Sequence, residues 1–289
     1  MENKEKETIA TSLKQYVAKF PSQNKAAQSL KGTSAGTISQ ILCGKWTLIS
    51  DEMWKKIASQ VTMTNPNEWM IVKTTAYQEM VFAMGDAQEW KNVTWIVGDA
   101  GCGKTTAAKA YTETSKDAYY ILCSEDMKRS DFIREIAHKI GVRTDGYSLR
   151  ETLENVMDEL VQMKSPLLLF DEADKLTDTV FHYFITIYNR LEDKCGICFF
   201  STNYIKRRMK AGLRYNKKGY NEMHSRIGRK FFDLEKTTPT DVYAIAMQNG
   251  LTDKKDIGDV IHDAEGYDFD LRRVKKAVHK IKRMHENND

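Results

Sequence analysis

The sequence predicts an α/β fold on a mostly parallel sheet, with a small all-helical domain before it and a helical domain after it. Three observations carry this. Short apolar runs alternate with helix-period segments between residues 93 and 234. A glycine-rich phosphate-cradle pattern joins the first run to a helix. After Pro239 the pattern turns wholly helical.

Taken in order, residues 10–61 read as a polar-spotted helical block, and residues 62–67, with Pro66, as a linker. Residues 69–89 are helix-like and lead into an apolar, β-branched strand at 93–97. Further strands are predicted at 118–123, 167–170, 197–201 and 231–234, with helices at 131–140, 149–163 and 179–191 between them. The last helices fall at 241–249, 255–264 and 271–285. The implied domains are 1–65, 66–236 and 237–289.

Residues 98–105 read GDAGCGKT, the G-x-x-x-x-G-K-T pattern. Gly98, Asp99, Ala100, Gly101, Cys102 and Gly103 form a loop whose glycines let successive N–H groups turn toward one anion. Lys104 adds a point charge for the terminal phosphates, and Thr105 a hydroxyl for Mg²⁺. A helix starting at Thr106 puts its positive N-terminus behind the phosphates. The run at 166–170 ends in Asp171 and Glu172, at the carboxyl end of what reads as a central buried strand. Asp171 is assigned to the metal and Glu172 to polarising an attacking water. The expected ligands are therefore ATP or GTP with Mg²⁺.

Composition allows two or three domains. The chain has 289 residues, 41% hydrophobic and 29% charged, with net charge +4. No stretch has the length and apolarity of a membrane span, and the charged first residues lack the apolar core of an export signal. Five cysteines predict reduced thiols in a cytoplasm. Cys195 and Cys198 have redox or zinc spacing, but no second pair accompanies them and they run into an apolar strand.

Asn203 closes another strand end and reads either as an amide for the γ-phosphate or attacking water, or as a turn residue. Arg226 precedes the last strand and reads as a guanidinium reaching a neighbour's nucleotide, or as a surface arginine, as does Arg229. At the start of the last helix, one of Arg272 and Arg273 can sense nucleotide from the lid.

The order of these parts resembles the AAA+ ATPase superfamily over residues 68–289. The resemblance implies sheet order 5-1-4-3-2, ATP shared between subunits, Arg226 acting in trans on a neighbour's γ-phosphate, and Arg272 as a sensor. Residues 11–61 resemble a lambda-repressor-type helix-turn-helix, through Gly32 in the turn, Ser34 as N-cap, Ile38 and Ile41 on one face, and Gly44 as stop. Its base-reading positions fall on Ala35, Gly36 and Gln40. Only Gln40 can make a bidentate base contact, which implies weak sequence preference. Lys31 and Lys45 are placed for phosphates, with Ser34 and Thr37 at the same helix start.

Between Asn203 and the last strand, Lys206, Arg207, Arg208, Lys210, Arg214, Lys217 and Lys218 stand among three tyrosines, as a salt-dependent DNA surface or a solvated basic loop. A helix-turn-helix ahead of a compact AAA+ module resembles the MuB family of transposition target-selection ATPases. That resemblance implies a homo-oligomeric, ATP-dependent filament on double-stranded DNA, associated with the nucleoid, delivery to a DDE-type transposase, and no membrane partner. Open alternatives are a clamp-loader or replication-initiator relative, an ATP-regulated repressor, and a secretion or signalling ATPase.

Overall fold

The structure, a computed structural model, describes residues 3–18, 20, 22–30, 32–61 and 69–286. The linker expected at 62–67 lies outside the described residues. Two compact units divide the chain, Met1–Trp69 and Met70–Asp289.

The first unit packs α1 (Asn3–Ala18), α2 (Gln23–Ser29), α3 (Ala35–Leu42) and α4 (Asp51–Val61), with a 3-10 turn at Trp46–Leu48. Ser34 caps α3 by accepting the Thr37 N–H at 3.0 Å, so an otherwise unsatisfied donor finds a partner. Gly32, at φ +69°, makes the turn ahead of it. Ile38 and Ile41 then face inward onto Leu13, Leu30, Trp54 and Ile57.

The second unit opens with α5 (Thr75–Trp90), β1 (Val93–Val97), α6 (Lys104–Thr114) and β2 (Ala118–Leu122). It continues with α7 (Arg129–Ile140), α8 (Leu149–Gln162), β3 (Leu167–Asp171), α9 (Asp178–Leu191) and β4 (Gly196–Ser201). Next come α10 (Tyr204–Arg214), α11 (Tyr220–Arg226) and β5 (Phe232–Asp233), then α12 (Pro239–Gln248), α13 (Lys254–Glu265) and α14 (Leu271–Glu286). The sheet order is β2-β3-β4-β1-β5, every pair parallel, which is the expected 5-1-4-3-2 order.

Helices cover both faces, so β3 and β4 are buried along their whole length and read as unbroken apolar runs. One face carries the stacked rings of Trp95, Phe199, Phe170 and Phe132. The other packs Met80, Met84, Ala107 and Ala108 against Ile96, Leu169 and Phe200. Register aligns Leu122 with Asp171 and Val97 with Ser201. The carboxyl ends of four strands therefore form one edge, where open α/β sheets place ligands.

The structure moves several sequence boundaries. α5 starts at Thr75, after its N-cap Thr74, rather than at 69. α6 begins at Lys104, two residues early, because Gly103 at φ +97° serves as its N-cap. The basic stretch after Asn203 is mostly helical: it forms α10 and α11, with Lys217 and Lys218 in the turn between them. Ile205 and Met209 sit four residues apart and are both buried, and the surrounding charges hide that spacing in the sequence.

Candidate nucleotide-binding site

The phosphate-cradle loop leaves the buried strand β1 and turns at once into α6. Gly101 has φ +80°, and a Cβ there would also run into the Asp270 carboxylate, so glycine is needed for both backbone and space. Lys104 Nζ donates to the Gly98 and Asp99 carbonyls, each at 2.8 Å, which holds its charge over the loop. Cys102 beside it is buried, and burial pushes its thiol up while nearby Lys104 pulls it down. Ala100 and Thr106 are exposed on either side.

Asp171 is 1% exposed at the end of β3. Its Oδ2 accepts the Thr105 hydroxyl at 2.6 Å and the Tyr120 hydroxyl at 2.9 Å. Its Oδ1 accepts the Glu172 N–H at 2.9 Å. A buried carboxylate held only by neutral donors, beside a hydroxyl, suits a hard cation. Among the described residues no cluster of three or more His, Cys, Asp or Glu could hold a metal. The Asp171 carboxylate and the Thr105 hydroxyl fit Mg²⁺, which binds through one or two protein oxygens plus phosphates and water. Thr105 and Asp171 would hold it. Burial, and then the Asp171 carboxylate, push the Tyr120 phenol well up, so it stays a donor.

Glu172 lies in the left-handed region at φ 54°, and its Oε2 pairs with Lys175 at 2.6 Å. Asn203 Nδ2 donates to Asp99 Oδ1 at 3.2 Å, linking the β4 end to the phosphate loop. The lid reaches the same loop from α14, where the Leu271 N–H donates to the Gly101 carbonyl at 3.1 Å. Of the two lid arginines, Arg273 is tied to Asp263 at 2.6 and 2.7 Å and lies over the Tyr267 ring. Arg272 is exposed at the start of α14.

Four expected positions come out paired within the fold. Arg226 does not stand at an open edge: its side chain is 18% exposed, donates to Asn189 Oδ1 at 2.6 Å and lies over the Tyr188 ring. Arg229, at φ 58°, is the exposed arginine nearby. Arg208 turns inward, donating to the Asp174 and Leu176 carbonyls, to Asp178 and to Tyr220. It serves as an internal tie, because burying its guanidinium requires those acceptors. Lys206 pairs with Asp233, and Lys217 with Asp178 at 3.4 Å.

Arg207, Lys210 and Arg214 remain exposed on α10, and the spacing i, i+3, i+7 puts them on one face. Tyr204 and Tyr215 are exposed beside them, near the Arg207 and Arg214 guanidiniums. Lys218 is exposed after the helix.

In the first unit, the Ser34 and Thr37 hydroxyls bond each other at 3.0 Å at the start of α3. Gln40 is half-buried and Lys45 exposed. Lys31 lies outside the described residues. Cys195 and Cys198 are free thiols buried in and beside β4; burial pushes Cys195 up to about 12 and Cys198 higher. No described helix is long and apolar enough to cross a membrane.

Sequence alone singles out neither Tyr120 nor Asp270. Tyr120 gave no signal because the register of β2 on β3 is not local. Asp270 looked like one more acid before a helix.

A P-loop between β1 and α6, an acidic β3 end and a polar β4 end on a 5-1-4-3-2 sheet define an AAA+ nucleotide-binding fold. Residues 88–209 match the family model described as AAA domain. A solved structure of the Aeropyrum pernix Orc1 protein in complex with DNA is similar, with TM-score 0.55 and 14% identity over 78% of this chain and 64% of that one. The chain thus spans under two thirds of that protein's length, and the likeness is one of fold.

Proposed function

We propose that this protein is a Mg·ATP-dependent DNA-binding ATPase. In this reading it oligomerises on double-stranded target DNA with little sequence preference, hands that DNA to a DDE-type transposase, and is released by hydrolysis. One observation carries the reading: α10 begins at Tyr204, directly after Asn203, and presents Arg207, Lys210 and Arg214 outward. Asn203 touches the phosphate loop through Asp99. A single rigid element thus joins the nucleotide site to a basic surface.

In this mechanism the loop N–H groups and Lys104 hold the phosphates, and Glu172 orients and polarises the water. Asn203 bonds the γ-phosphate or that water, and Arg272 reads the nucleotide from the lid. Mg²⁺ at Thr105 and Asp171 would supply neutralisation of the β- and γ-phosphate charge. Glu172 leaves its surface pairing with Lys175 to act. Arg226 supplies a charge to a neighbouring subunit's site after leaving Asn189. The exposed basic residues neutralise DNA phosphates without reading bases. The first unit docks in a major groove through α3, with Gln40 reading bases and Lys31 and Lys45 on phosphates. The protein acts in the cytoplasm, on nucleoid DNA.

A second reading, an initiator-like ATPase, draws support from the fold likeness to an Orc1 protein solved with DNA. Selection from random duplexes separates the two. Recovery of no sharp motif agrees with target selection. Recovery of one long motif contradicts it and favours an initiator or a repressor.

A further inference from the structure

We propose that Tyr120 is a positioning residue for the metal-side carboxylate: its hydroxyl fixes Asp171 so that this carboxylate and the Thr105 hydroxyl face one Mg²⁺. The inference rests on the nucleotide-site reading above. Two hydroxyls, those of Thr105 and Tyr120, donate to the same oxygen, Asp171 Oδ2, at 2.6 and 2.9 Å.

The two donors are not equivalent. Thr105 would itself be a ligand in the loaded site, so its hydroxyl has a second task there. That leaves Tyr120 as the donor to Oδ2 with no second task. Its geometry suits holding still. Tyr120 lies on β2 opposite Leu169, two residues short of the Leu122–Asp171 pair, on the face that α6 covers. Its ring runs forward along the strand to reach Asp171, with Lys109 Nζ 5.3 Å from the ring centroid. A phenylalanine would fill the same space against α6, so packing alone does not call for the oxygen. Partners of this kind orient ligating carboxylates and tune their metals.

The test titrates Mg²⁺ against binding of a fluorescent ATP analogue by the full chain, as wild type and as Tyr120→Phe, with a parallel series in EDTA. The Mg²⁺ concentration at half-effect should rise about tenfold in the variant, the lower end of what losing such a partner costs. Binding in EDTA should match wild type. Superimposable Mg²⁺ curves would reduce Tyr120 to packing and overturn the inference. Equal weakening with and without Mg²⁺ would also overturn it, since that is a structural defect. A wild type whose binding ignores Mg²⁺ would instead strike the nucleotide-site reading itself, and this inference with it.

Discussion

Thr105 and Asp171, 66 residues apart in sequence, meet through a 2.6 Å hydrogen bond at the carboxyl edge of the sheet. The contact joins the first turn of α6 to the end of β3, and Glu172 follows directly. Substituting the two acids should therefore separate binding from chemistry. Glu172→Gln should keep nucleotide affinity and lower hydrolysis by about 10²–10⁴-fold, the usual worth of a positioned base. Asp171→Asn should lower both hydrolysis and Mg²⁺-dependent binding. Nucleotide titration alongside phosphate release checks both, and a Glu172→Gln protein of full activity would remove Glu172 from the role.

The inward turn of Arg208 divides the basic helix into two kinds of arginine. Arg207→Ala with Arg214→Ala should reduce the slope of log affinity against log salt by about 2, roughly 0.9 per lost phosphate contact. Thermal stability should hardly change. Arg208→Ala should behave oppositely, losing on the order of 2 kcal/mol of stability because its acceptors lose a charged donor. Anisotropy on random duplex across a KCl series, paired with thermal melts, separates the cases.

Arg226 makes a less direct prediction. Arg226→Ala should cut hydrolysis by the assembled protein, spare nucleotide binding by the isolated subunit, and lower the melting temperature through loss of the Asn189 and Tyr188 contacts. Arg229→Ala should leave melting unchanged, since that side chain is exposed. If Arg229→Ala alone abolishes assembled turnover, the charge in trans belongs to Arg229.

Acid should loosen the α9–α10 junction. Burial pushes the Asp178 carboxyl up, but hydrogen bonds from Tyr220 and Arg208 outweigh it and hold the group at about 2. A carboxyl depressed in the folded state contributes stability above its unfolded value of about 3.9, and loses it as pH falls toward the folded value. The stability gap between wild type and Asp178→Asn should be constant above pH 5 and shrink from about pH 4 toward pH 2. Denaturant midpoints across that range test it; a gap that widens on acidification contradicts the assigned sign.

Much of the site was legible because its chemistry is local. Lys104, Thr105, Asp171 and Glu172 each sit in a short pattern whose spacing names a job; the alternation around them implies a parallel sheet, and the family resemblance its order. What stayed hidden depends on side-chain direction or non-local pairing. A run such as Lys206, Arg207, Arg208 carries no sign of which guanidinium turns inward; that follows from Asp178 and two carbonyls more than 25 residues upstream. The same holds for Arg226 against Asn189, and for Tyr120, which reaches Asp171 only through the β2–β3 register.

In the proposed function, nucleotide at this site controls assembly on DNA. Electron-microscope imaging of the protein on random duplex DNA with ATP, ADP or no nucleotide tests it most directly, with Lys104→Ala alongside. Filaments are expected with ATP alone, and none from Lys104→Ala under any condition. Binding to a single sequence regardless of nucleotide, or equal assembly by Lys104→Ala, would contradict it.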